Sequence, residues 1–266
     1  MTMARVVAAE ALDTLAPDDP AAIRSRRDLW RIHRAMGTQA IVTRALLDLL
    51  SARPDGAPLR VLELGAGDGQ LMLGVGRALA NHLANSAAPA SNDPPPSPSP
   101  RIELTLLDRQ RLVAPGTIAG YAALGWNAVQ VSADVADWAG AANGPQAAAP
   151  HWDLIVANLF MHHFEGAQLA SLLAAIARRC DCFFACEPRR AWLALAGSHL
   201  VGAIGANAVT RQDAVLSVHA GFRDHELSAL WPGRAADWVV REYSAGLFSH
   251  CFRAERRAAP RAAQSP

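Results

Sequence analysis

A chain of 266 residues, 51% hydrophobic and 18% charged, is long enough to bury one large core and too apolar to remain disordered. Its formal net charge is +1, with arginine in place of lysine throughout, which excludes the concentrated basic field of a nucleic-acid-binding protein. Cys180, Cys182, Cys186 and Cys251 are too sparse for a disulfide framework. The first two lie two apart on a predicted strand and therefore face one side, so buried thiols in a reducing cytoplasm are expected rather than a metal site.

The N-terminus, "MTMARVVAAEALDTLAPDD", mixes acids with short apolar runs and does not read as a signal peptide. Residues 1–55 read as helical: Leu29, Ile32 and Met36, then Ile41, Ala45, Leu46 and Leu49, recur at helical spacing, with Gly37 as a break. From there strands are expected at 59–64, 102–107, 127–132, 153–158 and 182–186, with helices at 69–84, about 113–124 and 166–179. That alternation, with strands rich in Val, Ile and Leu, implies an α/β fold with a doubly wound, mostly parallel sheet. The run 86–100, "SAAPASNDPPPSPSP", reads as a disordered insert, because proline prevents both helix and ladder there. "AGAANGPQAAAP" before the fourth strand is a smaller loop of the same kind, and 258–266 reads as a solvated tail.

Residues 189–231 read as a mostly helical cap, with Thr210 as a helix cap and Asp213 at capping-box spacing. Two further strands, about 237–243 and 247–254, form a terminal hairpin that completes a seven-stranded sheet with an antiparallel last strand. The longest apolar stretch, "AWLALAGSHLVGAIGANAV", is broken by Ser198, His199, Gly202, Gly205 and Asn207, so no membrane span is expected. The whole implies a cytoplasmic protein, as monomer or homodimer, with its main domain over 56–257.

The chemistry concentrates at strand ends. In "LRVLELGAGDGQL", residues 59–71, a buried strand runs into Gly65-x-Gly67-x-Gly69 with Glu63 ahead of it. Such a turn lets backbone N–H groups approach a ligand closely. The dinucleotide fingerprint G-x-G-x-x-G is not met, since position 70 is Gln, and a leading carboxylate suits an ammonium group better than a pyrophosphate. This E-x-G-x-G-x-G pattern resembles motif I of the class I S-adenosylmethionine-dependent methyltransferases, of the small-molecule, ubiquinone/menaquinone methyltransferase-like kind. The resemblance covers about residues 58–190 and implies a Rossmann-like sheet and S-adenosylmethionine as cofactor.

By that resemblance, Glu63, Gly65, Ala66, Gly67 and Gly69 flank the amino-acid part of the cofactor. Asp108, at the end of "IELTLLDRQ" with Arg109 beside it, grips the ribose; Ala133 and Asp134 meet the adenine; Asn158 and Leu159 lie by the methionine part. Asn158-Leu159-Phe160-Met161 lacks the prolines of the motif used for amide and exocyclic-base nitrogens, so nucleic-acid and glutamine methylation are not supported. His162 and His163 are the candidate catalytic bases, since histidine titrates near neutral pH and a phenol acceptor gains from losing its proton. Trp30 and His33 from the N-terminal helices are candidate acceptor contacts; Glu187 and Arg189 stand at the end of the fifth strand, where either can orient a polar group of the acceptor, and Arg211, with Asp213 and Ser217, resembles a polar set of such methyltransferases. The acids stand at successive strand ends, so no metal is expected.

The resulting expectation is methyl transfer to a small, largely apolar aromatic or lipophilic acceptor. A phenol or quinol oxygen of secondary or quinone-like metabolism comes first, and a ring carbon second. A catalytically silent partner subunit and a nicotinamide-dependent oxidoreductase are the rivals from other classes.

Overall fold

The computed structural model describes residues 3–51, 58–86, 101–140, 150–233 and 235–257. The expected insert beyond Ser86, most of the 139–150 loop, the 55/56 boundary and the tail therefore lie outside the described residues. Three helices come first: α1 (Ala11–Thr14), α2 (Pro20–Met36) and α3 (Thr38–Ser51). Asp19 starts α2 by accepting from the N–H of Ala21 at 2.6 Å, with Pro20 preset for the first turn. Gly37, at φ +69°, ends it in the left-handed conformation that a β-carbon disfavours.

The chain then alternates: β1 (Leu59–Leu64), α4 (Gln70–Ser86), β2 (Ile102–Asp108), α5 (Pro115–Ala123), β3 (Asn127–Ser132), α6 (Val135–Gly140), β4 (Trp152–Asn158), α7 (Gly166–Arg179) and β5 (Cys180–Pro188). After β5 come α8 (Trp192–Leu200), α9 (Ala208–Ala220) and α10 (Glu226–Leu230), then β6 (Trp238–Ala245) and β7 (Ser249–Arg256).

These strands form one seven-stranded sheet in the order β3-β2-β1-β4-β5-β7-β6. β1 to β5 are parallel, and β7 runs antiparallel to both β5 and β6. The last strand is thus inserted inside the sheet and leaves β6 at the edge. The order reverses at β1, with β2 on one side and β4 on the other, and in open α/β sheets ligands bind beyond the carboxyl ends of strands at such a switch.

Both faces are buried, as parallel strands require. Val61, Leu104, Leu106, Val156 and Phe184 pack against α3, α4 and α5, while Leu62, Leu64, Ile155, Phe183 and Phe252 pack against α6, α7 and α10. Among the described residues no helix is long and apolar enough to cross a membrane.

Two local expectations are corrected. Asn207, not Thr210, caps α9: its Oδ1 accepts from the Thr210 N–H at 3.1 Å, because the helix starts a turn earlier. Asp213 instead accepts from the N–H groups of Ala11 and Leu12, at the start of α1. The four cysteines are free and buried, but Cys180 and Cys182 join different core clusters. Cys180 directly follows the last residue of α7, where the alternation of a strand is only beginning.

Candidate active site

The turn after β1 takes its shape from its glycines: Gly65, Gly67 and Gly69 have φ of +67°, +55° and +72°. A β-carbon on Gly65 would stand 2.3 Å from Phe160 Cδ2, so this backbone needs glycine for space as well as for conformation. Parallel register brings β1, β2 and β4 to end side by side. Asp108, ending β2, accepts from the N–H of Gly67 at 2.9 Å through Oδ2 and from that of Gln110 at 2.8 Å through Oδ1. The glycine turn and the acid are thereby locked together.

A cavity of about 390 Å³ opens over these strand ends. Glu63, Gly65, Ala66, Gly67, Asp108, Arg109, Ala133, Asp134, Asn158, Leu159, His162 and His163 all line it, together with Trp30 and His33 of α2. Gly69 lies beneath, its carbonyl accepting from the Tyr121 hydroxyl at 2.5 Å. Asp134 is exposed and caps α6, accepting from the Ala136 N–H at 2.7 Å. Leu159 has φ +49°, a strained conformation for a leucine, where the chain leaves β4.

Two buried polar atoms in this wall lack a hydrogen-bond partner: Glu63 Oε2 and Asn158 Oδ1. Burial, reinforced by Asp68 and Asp108, pushes the Glu63 carboxyl well above the usual carboxylate range. Burial also pulls His33 down to about 4, so its ring is neutral and Nε2 accepts from Asn158 Nδ2 at 3.3 Å. An ammonium group in this cavity would give the unpaired Glu63 oxygen a partner and return that carboxyl to its ionised form, with the unpaired amide oxygen of Asn158 lining the same cavity. By this test the residues present fit the amino-acid end of S-adenosylmethionine.

Next to the glycine turn Glu187, His162 and His163, all singled out in the sequence, are joined by Glu10 and Asp13, which the sequence does not announce, into one chain of titratable groups. Glu187, fully buried on β5, accepts from the N–H groups of Phe160 (3.1 Å), Met161 (2.9 Å) and His162 (3.4 Å), and stands 2.8 Å from His162 Nδ1. The other ring nitrogen, Nε2, is 3.3 Å from Oε1 of Glu10. Burial opposes charge on this ring, but Glu10 and Glu187 prevail and raise His162 to about 9. Burial would raise Glu10 as well, yet His162 and the donated hydroxyl of Ser217 hold it below the usual range.

His163 behaves oppositely. Its ring lies 4.2 Å from that of His162, and burial together with that positive neighbour lowers its pKa against the pull of Glu10, Asp13 and Glu187. Asp13 Oδ2 stands 3.4 Å from its Nδ1. At neutral pH His162 is therefore an imidazolium that cannot accept a proton, and His163 is the neutral ring. Glu10, His162 and His163 bring one potential ligand atom each within 4.8 Å of one another. Both nitrogens of His162 already face carboxylates, so the set is satisfied as a hydrogen-bonded chain.

A second cavity, of about 330 Å³, adjoins the first. Its wall is apolar, built from Leu29, Ile32 and Met36 of α2 and Ala194, Val201 and Val218 of the cap. Glu10, Leu12, Leu29, Leu159 and Ser217 line both cavities. Arg189 and Arg211 line neither: Arg189 is held along the backbone between Phe222 and Phe248, and Arg211 is exposed, its side chain lying over Gly202. The neighbouring Arg190, absent from the expected set, binds the carbonyls of Met3 and Gly221 and the carboxylate of Glu226.

No family model matches the chain, and no curated protein matches it. Solved structures do. The plantazolicin methyltransferase BpumL, solved in complex with SAH, is similar at TM-score 0.56 and 13% identity, over 90% of this chain and 92% of that one. An O-methyltransferase family protein from Burkholderia thailandensis is similar at TM-score 0.57 and 14% identity, over 92% of this chain and 62% of that one. The pyocyanin biosynthetic protein PhzM is similar at TM-score 0.50 and 15% identity, over 90% of this chain and 60% of that one. The fold is that of the class I methyltransferases.

Proposed function

We propose that the protein is an S-adenosylmethionine-dependent methyltransferase that methylates the oxygen of a small, largely apolar phenol or quinol. The observation that carries this reading is the pairing of two cavities: a polar one over the strand ends, where Glu63 Oε2 and Asn158 Oδ1 lack partners, and an apolar one joined to it. The solved neighbours of the same fold include a methyltransferase with SAH bound and an O-methyltransferase family protein, which supports both cofactor and reaction class.

S-adenosylmethionine would supply a methyl group on a positively charged sulfur. Glu63 and Asn158 would hold its ammonium group, Asp108 with Arg109 beside it the ribose, and Ala133 and Asp134 the adenine. The chain's own contribution to chemistry is alignment and exclusion of water, with one proton to move. His163 is the group suited to take that proton from the acceptor hydroxyl, because its ring is neutral at pH 7 and Asp13 faces its other side. His162 holds the turn that carries it. Trp30 and His33, which line the same cavity, would contact the acceptor.

Calorimetric titration of S-adenosylhomocysteine into wild type and Asp108→Ala tests the reading. Losing one charge-assisted grip should weaken binding about 10- to 100-fold. Absence of binding to the wild type would leave the glycine turn as architecture and sink the proposal.

A further inference from the structure

Between the two cavities stands a carboxylate that belongs to neither the sheet nor the cap. Of the residues lining both, Leu12, Leu29 and Leu159 are apolar and Ser217 is a hydroxyl, so Glu10 is the charged group at the junction. It arrives on the N-terminal segment, whose place is fixed along its length. Val6 N–H donates to the His219 carbonyl at 3.1 Å, Arg5 donates to the carbonyls of Ala220 (2.7 Å) and Phe164 (2.8 Å), and the Ala11 and Leu12 N–H groups donate to Asp213. The contacts from His162 Nε2 and Ser217 Oγ both fall on Oε1 of Glu10.

We propose that Glu10 selects and orients the acceptor, its Oε2 accepting a hydrogen bond from the acceptor hydroxyl where the apolar cavity meets the cofactor cavity. This rests on the methyl-transfer reading above. A carboxylate in an apolar wall attracts a hydroxyl strongly and penalises any occupant that covers it without donating. Selection by a buried polar group left unpaired in the wrong complex is also far sharper than selection by apolar fit. The consequence reaches past the acceptor to the product. Once the oxygen carries a methyl group it has no hydrogen to donate, so the same carboxylate that holds the phenol disfavours its methyl ether. Ligand atoms of Glu10 and His163 lie within 4.8 Å of one another, so the acceptor's one hydrogen, bonded to Glu10 while the acceptor is held, lies beside the His163 ring and passes to it as the oxygen takes the methyl group.

Binding of 4-hexylphenol and its methyl ether, 4-hexylanisole, to the protein saturated with S-adenosylhomocysteine tests the proposal by calorimetry. The wild type should bind the phenol at least about tenfold more tightly than the ether. Glu10→Ala should abolish that preference, and Glu10→Gln, which keeps a carbonyl acceptor without the charge, should retain part of it, with S-adenosylhomocysteine affinity unchanged in both. Equal binding of the two probes by the wild type, no saturable binding of either, or full preference in Glu10→Ala would overturn the inference while the cofactor reading stands. Failure of the wild type to bind S-adenosylhomocysteine would overturn both.

Discussion

Neutralising Glu187 as Glu187→Gln should damage the protein in a pH-dependent way whose size follows from its contacts. The carboxylate is fully buried and takes three backbone N–H groups as well as His162 Nδ1. Glutamine has one acceptor oxygen and a donor NH₂ in the same space, so at least one buried donor faces another donor. Breaking one side of a buried ion pair typically costs about 3–5 kcal/mol. The rise of His162 from 6.5 to about 9 supplies an independent figure: at about 1.4 kcal/mol per pH unit it corresponds to about 3 kcal/mol.

Because the folded-state value is raised, that stabilisation is fully present below pH 6.5 and is lost as pH climbs through about 9. The groups facing His162 are Glu10, Glu187 and His163, and the first two share the effect. Urea unfolding at pH 6 and pH 9.5 reads it directly. The share of stability that His162 supplies should fall by about 3 kcal/mol between the two in the wild type, and Glu187→Gln should be about 3–5 kcal/mol weaker at pH 6 with a flatter pH response. A variant as stable as wild type at pH 6, or one weakened equally at both pH values, would refute the claim that Glu187 holds an imidazolium.

Two further outcomes are expected. Gly65→Ala places a β-carbon 2.3 Å from Phe160 Cδ2 at φ +67°, so stability should fall by about 1–3 kcal/mol. S-adenosylhomocysteine binding should weaken at least about tenfold with it; an alanine variant with unchanged affinity would contradict the close approach described for this turn. His163, lowered by burial and by His162 against Glu10, Asp13 and Glu187, should make methylation of a phenol rise with pH through a pKa below 6.5 and level off above it. His163→Gln should drop kcat about 100-fold or more while leaving S-adenosylhomocysteine affinity unchanged, and a plateau that survives the substitution would remove the histidine from the chemistry.

The readable part of the molecule was its local periodicity. Apolar runs of six or seven residues broken by glycine and acid gave β1, β2 and β4 almost residue for residue, and hence the cluster of Glu63, Asp108 and Asn158 at adjacent strand ends. Thr210 was misread because Asn207, a stronger cap, lies three residues ahead of it, and Asp213 because its partners are at the other end of the chain. Arg189 and Arg211 lie where the sequence places them, after β5 and in the cap, yet line neither cavity, since sequence position does not say where a side chain points.

The sequence alone determined the alternation of strand and helix, the glycine turn and the acids that end successive strands. These follow from residue-scale rules: side-chain period, backbone freedom and the geometry of parallel pairing. It placed His162 and His163 side by side without distinguishing them. Only the tertiary structure did that, by bringing Glu10 against a ring 152 residues away and Glu187 against the same ring from β5, so that one histidine is charged and the other neutral. The physical reason is that a pKa is set by what surrounds a group in space. Here those surroundings are assembled by β5 and by the folded-back segment 3–10, which forms neither helix nor strand although residues 1–55 read as helical.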